Sequence, residues 1–421
     1  MTDERAPGAR ERAPGEFRCL RPEEREAFEH LQRRGYASGH GTLHAAAARR
    51  LETGPPAAEQ VTDDGARGYF VGGRAVAGAY VKRYQTWWGA DELPMESVGG
   101  VVALPEARRR GYTAQLMAGL VGDMRARGVA ISTITSPFSY AFYRRMGWEY
   151  AFQRVEAEFE PALVAPLAEG ARGMARFVQC APEGDAVPED LDRVYRQVMR
   201  ARYQGAAARP AGLWREHLRG ERTYAYVWDG PEGPAGYTIL SVKRDDVLQV
   251  RELFAVDRPA LSGLFGLLAD FDSQAKKVQW NMPADMRLDL AVPEQGDLAM
   301  RWQAEGMFRI VDLAAALAAR TYGDTAGHVS LRLMDRQAPW NRGPFDVTWS
   351  GGRAEARPAR GGAAPEDGAV MEQRTFAQIY SGAITPEEAV RLRGAEIGAA
   401  ARRVLTSAFV TGRPPLLLEW F

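Results

Sequence analysis

The stretch LPEARRRGYTAQLMAGLVGDM, residues 104–124, decides the fold of this chain. Three consecutive arginines and a glycine stand directly before a segment whose apolar residues recur at helical spacing. One apolar, β-branched run overlaps its start (ESVGGVVAL, 96–104), and a second follows it (VAISTITS, 129–136). Because such runs are typical of buried strands, the predicted local order is strand, basic loop, helix, strand. The apolar helical positions are Leu116, Met117, Leu120, Val121 and Met124.

The arginines and the glycine predict an anion site at the start of this helix. The first turn of a helix presents unpaired N–H groups and a partial positive charge, which suit a phosphate group. Arg108, Arg109 and Arg110 add charge at this point, and Gly111 lacks a Cβ that would keep a diphosphate from the backbone. Neither the P-loop pattern nor the dinucleotide-binding glycine pattern occurs in the sequence. The alternative is a solvated face of arginines.

The composition is that of an ordinary multidomain globular protein. The chain has 421 residues, 46% of them hydrophobic, and its 54 basic residues balance its 54 acidic ones. No global charge therefore draws it to nucleic acid or to an anionic membrane. Cys19 and Cys180 lie in no paired motif and the histidines show no metal-ligand spacing, so we expect neither a disulfide nor a metal. Without a signal-like amino terminus or an apolar run of about 18 residues, the predicted location is cytoplasmic.

The element order repeats in the middle of the chain. TYAYVWD (223–229) and GYTILSV (236–242) flank a turn-rich segment and predict a hairpin. A strand, an amphipathic helix and another strand follow it, as in the first unit. Where the first unit has its arginines and glycine, this one has only the residues from Asp257 to Ala260. The architecture is therefore predicted to be duplicated without the basic loop.

The last part of the chain predicts a separate α+β domain. HVSLRLM (328–334), FDVTWSGGRAEAR (345–357) and AVMEQ (369–373) indicate antiparallel strands, and three helical segments follow. The chain ends in PPLLLEWF, an apolar terminus that we expect to be packed. The predicted divisions are a disordered tail (1–15), a first unit (16–153), a second unit (154–304) and a last domain (305–421).

The segment VVALPEARRRGYTAQLM resembles motif A of the GNAT superfamily of N-acetyltransferases, whose signature is R/Q-x-x-G-x-G/A. Here the signature spans Arg108 to Thr113, with Thr113 in place of the usual small residue. Together with YRRMGW (143–148), a second unit that lacks the loop and a terminal Phe421, the chain resembles the Eis (enhanced intracellular survival) family of aminoglycoside acetyltransferases from about residue 17 to its end. The resemblance implies an α+β fold of tandem GNAT units, each a mixed central sheet flanked by helices. A domain like a sterol carrier protein would follow them.

The resemblance also implies a donor site and an assembly. Acetyl-CoA would lie in a splayed gap between the strand ending near Ala103 and the strand ending near Ser136. The pantetheine arm would pair with main-chain groups, and backbone amides would hold the pyrophosphate. Relatives in this family are hexamers, so the resemblance implies a homo-oligomer. The implied donor-binding residues are Val101, Val102, Ala103, Arg108, Arg109, Arg110, Gly111, Tyr112, Thr113 and Ser136.

Tyr143 is the candidate general acid. A phenol with a pKa of about 10 can hydrogen-bond and protonate a departing thiolate whose thiol has a pKa near 8.5. The family resemblance assigns the same role to the tyrosine of this motif. The alternatives are simple packing beside Phe142 and Met146, or a catalytic role for Tyr140 instead.

Two carboxylates are candidates for the base that takes up the proton of the attacking amine. The resemblance implies that the free carboxylate of Phe421 reaches the first unit. A carboxylate near pKa 3.5 is mismatched with an ammonium near 10.4 by roughly 9 kcal/mol, so orienting the amine or Tyr143, or late proton uptake, suits it better than direct abstraction. Glu96 is the second candidate, with a surface strand position as its alternative.

The predicted function is an acetyl-CoA-dependent N-acetyltransferase acting on primary amines of a polycationic small molecule, such as an aminoglycoside, a polyamine or lysine. Carboxylates and aromatics would line its acceptor site. Two hypotheses compete with it, a lipid or sterol carrier that uses the last domain and a coenzyme A sensor without turnover. The candidate acceptor residues are Trp87, Trp88, Glu96, Glu419 and Trp420. A pair such as Trp87 and Trp88 is more often explained by packing or an interface, and Trp420 replaces the acidic residue common in relatives.

Overall fold

A computed structural model describes residues 14–36, 65–136, 140–169, 174–178, 188–219, 222–243, 246–359 and 367–419. Residues 1–13 of the predicted disordered tail lie outside these ranges, as does Cys180. None of the described helices is both long and apolar enough to cross a membrane.

The first unit is built around the helix that the sequence predicts after the arginines. All five of its predicted core residues are fully buried, which confirms the helical spacing. The glycine pair at 72–73 forms the turn of an antiparallel hairpin, and strands β4 and β5 on either side of the helix are parallel. The elements are β1 (Glu16–Cys19), α1 (Arg25–Tyr36), β2 (Ala66–Val71), β3 (Arg74–Trp88), β4 (Asp91–Ala103), α2 (Tyr112–Ala126), β5 (Ile131–Thr135), α3 (Tyr140–Arg145) and β6 (Glu149–Phe159).

The second unit repeats this order. Its β9 and β10 form the predicted hairpin, and β11 and β12 are parallel strands joined through helix α6, as β4 and β5 are joined through α2. The predicted duplication is confirmed at the level of topology. The elements are β7 (Ala175–Val178), α4 (Glu189–Arg202), β8 (Gln204–Ala207), α5 (Ala211–Leu218), β9 (Thr223–Gly230), β10 (Gly233–Val242), β11 (Val247–Ala255), α6 (Arg258–Ala269), β12 (Lys277–Pro283) and β13 (Ala299–Ile310).

One sheet runs through both units. Within the described residues it has 13 strands, because β13 inserts between β5 and β6, β12 pairs with β6, and β8 pairs with β3. The predicted limits at 153/154 and 304/305 fall inside β6 and β13. The domain limits therefore stay a prediction, since the hydrogen-bonded sheet is continuous across them.

The last unit has its own five-stranded sheet within the described ranges. Gly351 and Gly352 form the turn between two of its antiparallel strands, and the hydroxyl of Thr385 caps a helix by accepting from the amide of Glu388 at 3.1 Å. The strand formed by AVMEQ, β17, is antiparallel to β18 as predicted, but its other pairing, with β14, is parallel, so the prediction is wrong for that pair. A short apolar run carries no information about strand direction. The elements are α7 (Leu313–Ala318), β14 (Gly327–Met334), β15 (Gly343–Ser350), β16 (Arg353–Pro358), β17 (Ala369–Glu372), α8 (Gln373–Ser381), α9 (Pro386–Arg393), β18 (Glu396–Ile397) and α10 (Ala399–Phe409).

Candidate active site

Strands β4 and β5 separate at one end. Their parallel pairing ends at Ser97 and Thr133, although β4 continues to Ala103. The register of β4 against β3 shifts in the same stretch, where Gly100 has a φ of +59°. A Cβ on this glycine would also lie 2.8 Å from the ring of Tyr80. A bulge bends its strand, so it accounts for the end of the β4–β5 pairing, at the place where the resemblance implies a gap.

The arginine loop closes one side of this gap. It begins with a short 3₁₀ turn at Pro105–Ala107, and the Arg108 guanidinium then donates to the carbonyl of Gly35 at the end of α1, at 2.7 Å. Arg109 has a φ of +60°, a left-handed conformation that costs a residue with a side chain roughly 1 to 2 kcal/mol. Strain of this kind is typical of loops that hold a ligand.

Gly111 is the N-cap of α2 and also left-handed, with a φ of +77°. As a glycine it has no side chain that could accept from the first N–H groups of the helix. The corresponding helix of the second unit differs at this point, because Asp257 caps α6 and accepts from the amide of Ala260 at 2.9 Å. A carboxylate thus already occupies the anion position in the second unit. The first unit keeps a helix N-terminus that fits a diphosphate.

Tyr143 lies on the other side of the gap. It stands on α3, directly after β5, with 7% of its surface exposed, and its hydroxyl is hydrogen-bonded to Ser136 at the end of β5. Burial raises the pKa of Tyr143 to about 12, and the hydrogen bond to Ser136 opposes this only in part. Tyr140 is half-buried on the same helix, and its ring packs 5.0 Å from that of Tyr150. Burial, and then the charge of Glu305, raise the pKa of Tyr140 as well.

The end of helix α3 is held by the last unit. Gly147 has a φ of +96°, and a Cβ there would lie 1.4 Å from the guanidinium of Arg309. That guanidinium donates to the carbonyl of Met146 at 2.9 Å and to both oxygens of the buried Asp335, at 2.8 and 3.0 Å. The glycine of YRRMGW therefore makes room for an arginine that ties the Tyr143 helix to the last unit.

The described end of the chain runs toward the same region. Leu416, Leu417, Leu418 and Glu419 are buried, which confirms the predicted packing of the terminus as far as residue 419. The carboxylate of Glu419 is close enough to Tyr84 to contribute to raising the pKa of that phenol, after the larger effect of burial. Tyr84 lies on β3 opposite Met95 of β4, which in turn pairs with Ile131 of β5.

Comparison with protein families gives three matches along the chain. An acetyltransferase (GNAT) domain model matches residues 16–151, and a second acetyltransferase (GNAT) domain model matches 205–310. A sterol carrier protein domain model matches residues 313–418.

Similar proteins agree with these matches. An uncharacterized N-acetyltransferase of Streptomyces avermitilis is 26% identical over 289 residues, which cover 65% of this chain and 69% of the relative. The crystal structure of a GCN5-related N-acetyltransferase from Kribbella flavida has a TM-score of 0.76 at 25% identity, over 97% of this chain and 99% of that one. Eis1 from Mycobacterium abscessus has the same fold, with a TM-score of 0.74 at 23% identity over 96% of this chain and all of that one. The chain is a GNAT acetyltransferase with the fold of Eis1.

Glu96 of this acetyltransferase is neither a surface residue nor a free base. Its side chain is fully buried on β4, and both carboxylate oxygens pair with the guanidinium of Arg127, one of them at 2.7 Å. Asp123 also accepts from Arg127, at 2.8 Å. A carboxylate held in this way is a structural anchor for the end of α2, and the prediction that Glu96 acts as an alternative base is not supported.

Two other predicted acceptor residues are core residues of the enzyme. Trp87 and Trp88 are each 1% exposed; Trp87 packs against Tyr195 of the second unit, and Trp88 packs against Phe308 and Tyr380. The packing alternative explains both indoles. In the sequence, a tryptophan pair next to a glycine does not distinguish packing in a core from lining a substrate pocket.

Glu419 is engaged within the second unit, where it accepts from Arg209 at 2.8 Å. Sequence reasoning missed Arg209, its partner Glu252 and the α3 anchor Arg309, because single charged residues far apart in the chain form no pattern. Trp420 and Phe421 lie outside the described residues. Within the described ranges, no group of three or more His, Cys, Asp or Glu side chains is arranged to hold a metal ion.

Proposed function

We propose that this acetyltransferase moves the acetyl group of acetyl-CoA to a primary amine of a polycationic small molecule, with Tyr143 as donor to the leaving thiolate and the terminal carboxylate holding the amine. The observation that carries the proposal is the uncapped, glycine-started N-terminus of α2 beside the splayed strands. The second unit has the same elements with its helix capped by Asp257, which favours the first unit as the place of the phosphate site. The amine class follows from the resemblance to Eis enzymes.

The donor would lie along the splayed end of β4. In this arrangement the main-chain groups of Val101, Val102 and Ala103 would face the pantetheine arm. The amides of Arg109, Arg110, Gly111, Tyr112 and Thr113 would bind the pyrophosphate. Arg108 has a further role, since its contact with Gly35 braces the loop against α1.

Tyr143 would act mainly as a hydrogen-bond donor. With a pKa of about 12 the phenol stays protonated at neutral pH, and it is a weaker acid than a thiol near 8.5. Complete proton transfer to the thiolate would therefore be uphill by roughly 5 kcal/mol at about 1.36 kcal/mol per unit. A buried donor aimed at developing negative charge stabilises it without that transfer. Ser136 orients the hydroxyl through their hydrogen bond.

The terminal carboxylate suits the amine side of the reaction. Phe421 follows the buried Glu419 by two residues, which span at most about 7 Å. Its low pKa excludes efficient direct deprotonation of an ammonium, as argued above, but a carboxylate attracts that ammonium and can take up the proton once the N–C bond has formed.

The carrier hypothesis rests on the resemblance of the last unit to a sterol carrier protein domain. Phe345, Val347 and Trp349 of β15 are buried in the core of the last unit together with Phe409. Uptake of a fluorescent fatty acid by a protein that releases no thiol from acetyl-CoA would restore this hypothesis.

The test is acetyl-CoA-dependent thiol release over a panel of aminoglycosides, polyamines and lysine peptides, with the intact chain and with a chain that lacks Phe421. Turnover that collapses when Phe421 is removed supports both the reaction and the role of the terminus. Turnover that persists supports the reaction and excludes the terminal carboxylate. An intact chain that binds acetyl-CoA but acetylates no amine of the panel contradicts the proposed substrate class and favours the sensor.

A further inference from the structure

We propose that Arg209 of the second unit is a positioning residue for acetyl transfer in the first unit, because it clamps Glu419 and so fixes where the last two residues can reach. The inference rests on the proposed role of the terminal carboxylate. Under this proposal the second unit, which lacks the basic loop, contributes to the reaction by positioning the end of the chain.

The tail is first aligned by strand β8. The amide of Gln204 donates to the carbonyl of Pro414 at 3.1 Å, and the amide of Leu416 donates to the carbonyl of Gln204 at 2.9 Å. Strand β8 itself pairs with β3 of the first unit. The backbone of the tail is thus tied to a strand of the second unit that is hydrogen-bonded to the first unit.

Alternating side chains then hold the tail between two cores. Leu416 and Leu418 belong to the apolar core of the second unit, whereas Leu417 belongs to the core that includes the last unit. An extended segment places successive side chains on opposite sides, so all three leucines are buried at once. This path delivers Glu419 into the interior of the second unit.

The clamp consists of one guanidinium between two carboxylates. Arg209 is fully buried and binds Glu252 with two nitrogens, at 2.7 and 2.9 Å, while its third nitrogen binds Glu419 at 2.8 Å. The guanidinium lies 4.1 Å from the ring centroid of Tyr195 and 4.8 Å from that of Trp214. Each nitrogen of the guanidinium makes a hydrogen bond to a carboxylate and two aromatic rings pack against it, so its orientation is fixed.

Glu252 is held from its other side as well. The hydroxyl of Tyr237 donates to it at 2.7 Å, and Nδ1 of His217 lies 2.7 Å from it. Burial alone would raise the pKa of Glu252, but the charges of Arg209 and His217 outweigh burial and lower it well below its usual range. The second carboxylate, Glu419, also contacts Tyr195, whose hydroxyl lies 3.4 Å away.

The position of this clamp determines what the terminus can contact. Glu419 contacts Tyr195, whose ring lies 5.9 Å from that of Trp87 on β3 of the first unit, and the charge of Glu419 also contributes to raising the pKa of Tyr84 on the same strand, after the larger effect of burial. The clamp therefore ties Glu419, the last described residue, to the part of the second unit that packs against β3, and two further residues extend the chain by at most about 7 Å. Misplacement of a reacting group by about 1 Å can cost 100-fold in rate.

The experiment is a double-mutant cycle in the full-length chain between Arg209→Met and removal of Phe421. We expect Arg209→Met to lower kcat by about 100-fold with an unchanged KM for acetyl-CoA, and to have less than about a twofold effect once Phe421 is absent. Equal losses in both backgrounds would overturn the proposal, because they would show a merely structural role. Arg209→Lys, which keeps the charge, should recover part of the loss.

Two further variants keep the test decisive. Glu419→Gln preserves the side-chain volume and replaces Arg209→Met in the cycle if that variant does not fold. Its loss in kcat should likewise disappear once Phe421 is absent. Arg67→Met is the matched control, since Arg67 is a buried arginine paired with Asp123 at 3.0 Å within the first unit. Its loss of activity should be the same with and without Phe421.

A readout without turnover separates the clamp from the reaction. Carboxypeptidase should release Phe421 from Arg209→Met at least about tenfold faster than from the wild-type chain or from Arg67→Met, because an unclamped tail opens more often. Equal release rates would overturn the clamp even in an active enzyme. Absence of turnover in the wild-type chain would instead overturn the proposed function and the catalytic part of this inference, and the release rates would still decide whether Arg209 clamps the tail.

Discussion

Replacing Tyr143 with phenylalanine removes one hydroxyl from a residue that is only 7% exposed, and the ring keeps its packing contacts. The change removes one hydrogen bond, to Ser136, at a cost to the free energy of unfolding of about 1 kcal/mol. In the reaction it removes a preorganised donor to the developing thiolate, and the loss of one such donor lowers kcat by about 100-fold to 1,000-fold. We therefore expect an intact, slightly destabilised enzyme with a large loss in kcat and little change in the KM for acetyl-CoA.

The raised pKa sharpens this prediction. At pH 10 about 1% of a phenol with a pKa of about 12 is ionised, against about half of a phenol with the ordinary value of 10. Ionisation of Tyr143 should therefore cause no decline in the wild-type kcat up to pH 10. Because the pKa is higher in the folded than in the unfolded chain, the stability that this protonation provides, roughly 3 kcal/mol, is fully present below pH 10 and is lost as the pH rises toward 12.

The assay is thiol release at saturating acetyl-CoA and amine between pH 7 and pH 10, with uncatalysed thioester hydrolysis subtracted. Tyr140→Phe is the matched control, because Tyr140 lies on the same helix. A loss below about threefold in Tyr143→Phe, together with a larger loss in Tyr140→Phe, would transfer the role to Tyr140. A decline in the wild-type rate with a midpoint below pH 10 that disappears in Tyr143→Phe would refute the raised pKa.

Three further substitutions test the donor site and the ion pair below it. Gly111→Ala should destabilise the loop by about 1 to 2 kcal/mol, because the φ of Gly111 is +77°. It should also raise the KM for acetyl-CoA measured by thiol release, and an unchanged KM would contradict the phosphate assignment. Asp257→Ala should cost about 1 kcal/mol in denaturant unfolding through loss of the α6 cap without altering that KM, so a raised KM would argue against a structural role for Asp257. Arg127→Met should leave Glu96 buried without its main partner and cost about 3 to 5 kcal/mol; a melting temperature within error of the wild type would count against the pair as an anchor.

The sequence was most informative where the pattern is local. The helical spacing after Gly111 predicted α2, and the turn-rich segment between residues 229 and 236 predicted a hairpin, because turns and amphipathic helices are specified by neighbouring residues. The direction of β17 relative to β14 depends on which strand it meets across the sheet, and the apolar pattern does not encode that. The ion pair of Glu96 could not be predicted for a similar reason, since its partner Arg127 is 31 residues away in the chain.

The second unit differs from the first in its electrostatics at two places. At its helix N-terminus the carboxylate of Asp257 accepts from the amide of Ala260, whereas the matching helix of the first unit begins at a glycine. On the neighbouring strand β11, Glu252 binds two nitrogens of an arginine whose remaining nitrogen binds Glu419 in the tail of the same chain. A buried guanidinium with a single carboxylate would have spare donors, and Glu419 accepts from one of them. If this clamp positions the terminus, the duplicated unit would persist because it holds the part of the chain that the first unit needs for its reaction.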